Sequence, residues 1–534
     1  ILWGCNITKI GASDGLCGHI VQKAVKQAEQ VIVIDPRRIG AVNQAKHWVQ
    51  LNPGTDGALA LAMINVIIND NLFDRDFVNK YTVGFEALSE HIKPFTPEWA
   101  SSITGITADK IREIATVYAS VKPACIQWGN GVDMSNCAFH TAHSILILKS
   151  ITGNIDRPGG DVFWVGPEGF RQCSPLINQE ITGGQFLPPE KRAASVDAGK
   201  YEFFPFVHPP TLWKSIVNSD PYRIKALWII GSNPLVTGTS PRETEKALKL
   251  LDFVVVSDLF MTPTAQLADL VLPAASWLEQ NDIANFHKIW CVLSRQKLAQ
   301  IGEAQDDREV ILQLAKRLGL KEAFPWNTLD EYRDWVLNDT GMTFEQFCEK
   351  GIATGTMRYY KYREEGFHTP SNKIELFSSI MDAHGSSPLP IYKEQFTPGF
   401  QPEDKNEYPI MLIKSGKVRE YFHSEGRQIE SLRKALPDPI MEIHPDTASE
   451  IGINTGDWVW IETMEGRIKM RAKLFDGIAP GVISAQHGWW FPEEAAPDYG
   501  WKKSNVNLLF GEKDYDFETG SESFNVPCRV YLAQ

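Results

Sequence analysis

One pattern recurs through the first half of the chain and limits what it can fold into. A short apolar run, β-branched and of strand length, stops abruptly at Gly, Asn, Asp or Ser. The run at 1–3 stops at Gly4, Cys5 and Asn6, and the run at 31–34 at Asp35, Pro36, Arg37 and Arg38. The runs at 124–128, 224–230 and 253–256 stop at Gly129-Asn130-Gly131, Gly231-Ser232-Asn233-Pro234 and Ser257-Asp258. Between runs the period becomes helical. After Pro53-Gly54, Thr55 is a good N-cap, and Asp56 sits in the first turn, where the helix dipole favours a carboxylate. Leu59, Ala62, Met63, Val66 and Ile67 then predict one apolar helix face. Thr107 and Asp109 open another helix through Ile111, Ile114 and Val117. Strands alternating with helices predict α/β units with parallel sheets, which bind ligands off the carboxyl ends of their strands. The polar clusters fall there, on two groups of strands. One such unit binds one nucleotide half, so two doubly wound, nucleotide-binding-like α/β domains suit two nucleotides.

Other segments break the alternation. Residues 166–220 form a long irregular stretch rich in Phe, punctuated by Gly183-Gly184, Pro188-Pro189 and Pro209-Pro210, and are read as part of a substrate funnel wall. From Tyr408 the chain turns to strands: Trp458 to Glu462, a hairpin turn at Glu465-Gly466, then an alternating apolar and basic run from Arg467. That predicts a compact β-barrel. The expected division is 1–175 and 176–325 for the two α/β domains, 326–405 for a connecting subdomain and 406–534 for the barrel.

Composition narrows the function. A net charge of −13 argues against nucleic acid as main partner, although backbone amides and helix N-termini still suit an anionic cofactor. No apolar run approaches the ~20 residues of a membrane span. The eight cysteines include no CxxC pair, so no zinc ribbon or iron–sulfur cluster is expected in this stretch. Walker A and GxGxxG sequences are absent, leaving a usual ATP or nicotinamide site poorly supported. The chain opens without Met on what reads as mid-strand, so the expected N-terminus lies upstream and any targeting signal is invisible; a cytoplasmic or periplasmic home stays open.

Single residues have a sharp reading and a bland one. Asp35 and Asp258 close strands, where a carboxylate accepts from ribose hydroxyls or merely satisfies a turn. Asp56 reads by pattern as a dipole partner. His140 and His143 stand three apart on a helix, but with no third ligand they read as core histidines. Cys5 is either a thiolate near a reactive centre or, on the favoured reading, a small buried residue. Arg419, His423 and Arg427 form a basic cluster that either binds phosphate or is a solvated face, and His487, before Trp489-Trp490, either touches a cofactor or is an interface histidine.

Together these segments resemble the molybdopterin oxidoreductase family of the dimethyl sulfoxide reductase type. Val-Ile-Asp-Pro-Arg-Arg at 33–38, Asn-Pro-Gly-Thr-Asp-Gly-Ala-Leu at 52–59, Gly-Asn-Ile-Asp-Arg-Pro-Gly-Gly at 153–160 and Gly-Ser-Asn-Pro at 231–234 carry the likeness in order. The strongest piece runs over 258–273, Asp-Leu-Phe-Met-Thr-Pro-Thr-Ala-Gln-Leu-Ala-Asp-Leu-Val-Leu-Pro. The likeness implies a C-terminal double-psi β-barrel and two molybdopterin guanine dinucleotides around one Mo or W ion. It gives Asp35, Arg37, Thr55 and Asp56 to one guanosine end, and Gly231, Asn233, Asp258, Thr262 and Asp307 to the other. Gly4, Asn6, Gly129 and Gly131 would line the first dinucleotide's path. Ser415, Arg419, His423, His487, Trp489, Asn505 and Phe524 would close over pterins and phosphates.

The family's [4Fe–4S] cysteine motif, and the Cys, selenocysteine, Ser or Asp that ligates the metal, are expected upstream of Ile1. Residues 63–70 and 260–269 look most like the acetylene hydratase-like branch, near thiosulfate and polysulfide reductases. The run at 161–167 lacks the Arg that formate dehydrogenase carries there, which disfavours formate. The implied activity is two-electron oxidoreduction of a small substrate, by oxygen-atom or hydride transfer, with electrons passing to an iron–sulfur subunit. A non-redox hydratase or hydroxyltransferase is the alternative, and a pterin-free scaffold or relay subunit the third.

Overall fold

The structure is a computed structural model that describes residues 1–7, 17–171, 207–285, 291–394, 401–415, 418–511 and 514–533. Most of the expected funnel segment, at 172–206, lies outside the described residues.

The first α/β unit is a parallel sheet of β1 (Leu2–Trp3), β2 (Ile32–Ile34), β3 (His47–Val49) and β4 (Gln127–Trp128), in the order β3-β2-β1-β4. Trp3 pairs with Ile34 on one side and Trp128 on the other, so three polar strand ends leave the same edge. Against this sheet stand α1 (Asp56–Asn69), α2 (Ala108–Ser120) and α3 (Ala138–Ile151). The helix α1 departs from the one-faced expectation, because every residue from Gly57 to Ile67 is buried. It is the central post of the unit, walled by its neighbours on every side, and a helix so placed is apolar all round. Its one buried amide, Asn65, donates to the carbonyl of Ile92. Thr55 stands at the N-cap, but its hydroxyl donates to the Asn52 carbonyl instead of accepting from the helix. Thr107 does cap α2, accepting from the Lys110 amide.

The second unit is a parallel sheet in the order β5 (Ala226–Ile230), β6 (Phe253–Asp258), β7 (Leu270–Pro273), with α4 (Pro209–Asn218) and α5 (Pro241–Leu250) packed together beside it and α6 (Asp307–Arg317) further on. Within 326–405, Ile374–Glu375 adds a short parallel strand to Thr82–Val83 of the first unit. No helix among the described residues is long and apolar enough to cross a membrane.

The C-terminal strands close into a six-stranded barrel. In chain order they are β8 (Ile410–Lys414), β9 (Ile440–Ile443), β10 (Trp458–Glu462), β11 (Arg467–Leu474), β12 (Val482–Ala485) and β13 (Asn525–Leu532). The order around the barrel is β8-β12-β9-β11-β10-β13, parallel at β8/β12 and β9/β11 and antiparallel elsewhere. Alternation decides which side chains go in: Ile468, Met470 and Ala472 are buried, while Arg467 and Arg471 lie over the rings of Trp460 and Trp458 outside. The barrel interior and the second unit share one continuous apolar core, whereas the first unit has its own.

Candidate cofactor cleft

The floor is made of glycine. The loops leaving β1 and β4 meet backbone to backbone: the Gly131 amide donates to the Gly4 carbonyl at 3.0 Å. A Cβ on Gly131 would stand 2.7 Å from Gly4 Cα, and one on Gly129 2.7 Å from Cys5 Cβ. Gly4 also has φ +54°, which a side chain disfavours. Asn6 follows at the rim, half-buried. The Cys5 thiol donates to the Gln127 carbonyl and burial pushes its pKa up to about 11, so it is a protonated packing residue.

Two carboxyl groups stand beside this floor. Asp35 accepts from the Arg37 amide at 2.9 Å, and Asp56 accepts from the Trp3 indole at 2.8 Å. Desolvation lifts Asp35 to about 7, and its neighbour's charge adds to the rise; desolvation likewise lifts Asp56 to about 6. Such carboxyls still have acceptor capacity and want N–H or O–H donors. Arg37, which the resemblance gives to a guanosine end, is turned elsewhere. Its Nε and Nη2 bond Glu442 of the barrel at 2.7 and 2.9 Å, and its guanidinium lies 4.8 Å from the Phe475 ring centroid. It fastens the first unit to the barrel.

The second unit repeats the arrangement more openly. Gly231 has φ +56° and nothing within 4 Å of a Cβ position. Asp258 accepts from the Leu259 amide, and burial raises its pKa, as does the charge of Asp307; burial also raises Asp307. Asn233 is buried and committed: it accepts from Thr264 at 2.7 Å and donates to Ser424 of the barrel at 3.2 Å. The Thr262 hydroxyl accepts from the Ala265 amide. These two brace the loop that carries the open positions.

The barrel supplies the third wall. His423 Nδ1 and His487 Nε2 are 2.8 Å apart, and His487 Nδ1 is 3.0 Å from the Ser415 carbonyl oxygen. That oxygen only accepts, so His487 carries its proton on Nδ1 and accepts at Nε2. His423 must then donate from Nδ1. Burial pushes His487 down to about 4, so that ring is uncharged at neutral pH. Phe524 joins two walls: its amide donates to the Met134 carbonyl beyond the glycine floor, and its carbonyl accepts from the Lys414 amide. Arg419 is exposed at the edge.

Two expected cleft residues are not in it. Trp489 is 0% exposed, packed on Tyr421 and Phe491. Asn505 is also 0% exposed and ties the barrel to the second unit through the Leu235 carbonyl. The resemblance places both over the pterins, but Tyr421 helps bury Trp489 and Leu235 holds Asn505, contacts that the local sequence does not show. Arg427 is buried too, so it is neither a phosphate ligand on a surface nor a solvated face. His140 and His143 are lowered to about 4 by burial, and no group of three or more metal-ligating side chains occurs among the described residues. Sequence reasoning missed Lys414, a buried cation whose Nζ lies 4.4 Å from the Phe510 ring centroid and 4.9 Å from that of Phe524. Its only signal was a lysine ending an apolar strand. Glu442, the partner of Arg37, was missed as well.

The donor set fits a guanine dinucleotide on each unit. Lifted carboxyls match the N–H edge of guanine, and the backbone-thin glycine floor admits a diphosphate. The Molybdopterin oxidoreductase family model matches residues 1–317, and that of the Molydopterin dinucleotide binding domain residues 411–527. The chain is 33% identical to acetylene hydratase of Syntrophotalea acetylenica, covering 93% of this chain and 72% of that protein. It is 28% identical to the thiosulfate reductase molybdopterin-containing subunit PhsA of Salmonella typhimurium, over 88% of this chain and 66% of that one. The solved structure of acetylene hydratase from Pelobacter acetylenicus superposes with a TM-score of 0.88 at 30% identity, covering 100% of this chain and 77% of that chain. The chain is therefore an enzyme of the molybdopterin oxidoreductase family, built to hold a molybdenum- or tungsten-pterin cofactor.

Proposed function

We propose that the chain holds two molybdopterin guanine dinucleotides, one on each α/β unit, and catalyses two-electron oxidoreduction of a small substrate. The observation that carries this is the duplication of the lifted carboxyl site. Asp35 with Asp56, and Asp258 with Asp307, stand at the carboxyl ends of two separate parallel sheets. A chain that had lost its pterins would have no reason to keep either pair desolvated.

Each residue has one task in this reading. Asp35 and Asp56 accept from the first guanosine, and Asp258 and Asp307 from the second. Gly4, Gly129 and Gly131 let the backbone approach the first diphosphate. The His423–His487 wall faces the pterins, and the aromatic wall at Phe524 excludes water. When bound, the metal supplies the two-electron change and an open coordination position. A metal ligand and a [4Fe–4S] cluster preceding Ile1, and an iron–sulfur partner subunit, belong to the same proposal. The relation to a reductase component whose name calls it a subunit supports the partner.

The likeness to acetylene hydratase favours a second reading, in which the metal acts as a Lewis acid for bound water without redox turnover. Metal analysis combined with turnover in the presence and absence of an external electron acceptor separates the two. Acceptor-dependent turnover with Mo or W present is expected. Turnover without any acceptor selects the hydratase, and a purified holoprotein without Mo or W overturns both.

A further inference from the structure

Arg427 is buried at 1% exposure, although it lies in a segment that reads as a basic surface. Its guanidinium lies between two rings, 4.2 Å from the Tyr421 centroid and 4.1 Å from that of Trp489. Its hydrogen bonds go to backbone carbonyls, not to a carboxylate. Nε donates to Gly488 O at 2.6 Å, and Nη2 donates to His423 O at 3.2 Å and to His487 O at 3.3 Å. Nη1 has no partner among the described residues. A buried cation without a counter-charge costs stability, and an apolar filler between the same rings would cost less. The position is thus explained by what the guanidinium holds, not by the core it fills.

What it holds is two loops. The three carbonyls belong to the turn at His423 and to the turn at His487 and Gly488, and these turns present the two bonded imidazoles. The loops touch directly as well: a Cβ on Gly488 would stand 2.5 Å from His423 O. Neither loop has the regular backbone ladder of a strand to fix it at that point. A planar fork with rigid donor directions fixes two backbones relative to each other in a way that a flexible ammonium does not.

We propose that Arg427 is a positioning residue: it ties the His423 and His487 turns together and so keeps the two imidazoles in bonding register at the cofactor cleft. This rests on the reading that the pair faces a bound pterin, but the register itself does not depend on it. Among the described residues, the charges of Lys414 from β8 and of Arg427 oppose a proton on His487. Without the tie the turns separate, the His423–His487 bond opens, and each ring nitrogen becomes available to reagents.

The test is acylation of the holoenzyme by diethyl pyrocarbonate across pH, read at each histidine by peptide mass spectrometry. Bound pterin is counted in parallel from its fluorescence after oxidative release. In Arg427→Met, which keeps the rings filled, His423 and His487 are expected to react about tenfold faster, the equivalent of ~1.4 kcal/mol, while the other histidines keep their rates. Arg427→Lys keeps the charge without the fork and is expected to give a smaller acceleration at the same two residues, which keeps the test decisive if the Met variant does not fold. Unchanged rates at both histidines in either folded variant overturn the proposal. A wild type without releasable pterin overturns the cofactor reading instead, and leaves the register result to decide Arg427 on its own.

Discussion

The two α/β units, which the proposed function gives the same chemical task, differ in their degree of enclosure. In the first, two loops press glycine against glycine, Trp3 bonds Asp56, and Arg37 clamps the barrel through Glu442. Desolvation there is strong enough to lift Asp35 to about 7. In the second, Gly231 is surrounded by open space, Asp258 is lifted less, and the loop is braced from behind by Asn233. Enclosure raises the gain from each hydrogen bond and also the cost of leaving it unmade. The first unit is therefore the tight, preorganised half and the second the adaptable one.

The largest contrast should come from one methyl group placed in each glycine loop. Gly131→Ala drives a Cβ into the Gly4 backbone and is expected to destabilise by about 3 kcal/mol, as severe overpacking does. Gly231→Ala meets nothing and carries only the cost of a left-handed residue, about 1 kcal/mol. Denaturant midpoints check this, and equal effects would erase the proposed difference in enclosure.

Next come the carboxyls. Asp35→Ala is expected to weaken guanine-dinucleotide retention by about 10- to 100-fold, the loss of a hydrogen bond to a charged acceptor in a desolvated place. Asp258→Ala should fall at or below the lower end of that range. Nucleotide content after dialysis reads both. If Asp258→Ala proves the more damaging, the second unit is the anchor and the assignment reverses.

Arg37→Met leaves Glu442 with Lys473, at 3.3 Å, as its one ion-pair partner among the described residues. Arg37 is partly exposed, so the expected loss is modest, about 1–2 kcal/mol, and should appear as earlier release of the barrel in proteolysis. A loss no greater than that of an exposed pair would show that the clamp is incidental.

The last contrast is in pH dependence. Asp35 and Asp56 have folded pKa values raised from an ordinary 3.8 to about 7 and about 6. The folded, cofactor-free chain thus keeps protons that the unfolded chain has already released, and its stability falls as pH rises from about 4 to about 7. Asp35→Asn should flatten much of that slope, and Asp258→Asn less of it. An unaltered slope in Asp35→Asn would mean that the carboxyl is not desolvated.

Much of this was legible from the chain because each polar cluster follows directly on an apolar strand. Asp35, Asp56, Asp258 and the glycines are set by local backbone, and local backbone is what periodicity reports. The rest depends on partners distant in sequence. Trp489 and Asn505 carry the right chemistry in the right motifs, yet their neighbours bury them. Arg37 looked like a ligand because nothing local shows that Glu442, four hundred residues later, will claim it. Arg427 reads as surface for the same reason. The helix α1 was legible as a helix, but its burial on every side follows from what surrounds it.

The most direct test of the central claim, one guanine dinucleotide on each α/β unit, is the count of guanosine monophosphate released by acid hydrolysis per metal atom in the holoenzyme. Two guanosine monophosphates per metal are the predicted result, falling toward one in Asp35→Ala. One per metal in the wild type, or none, would contradict it.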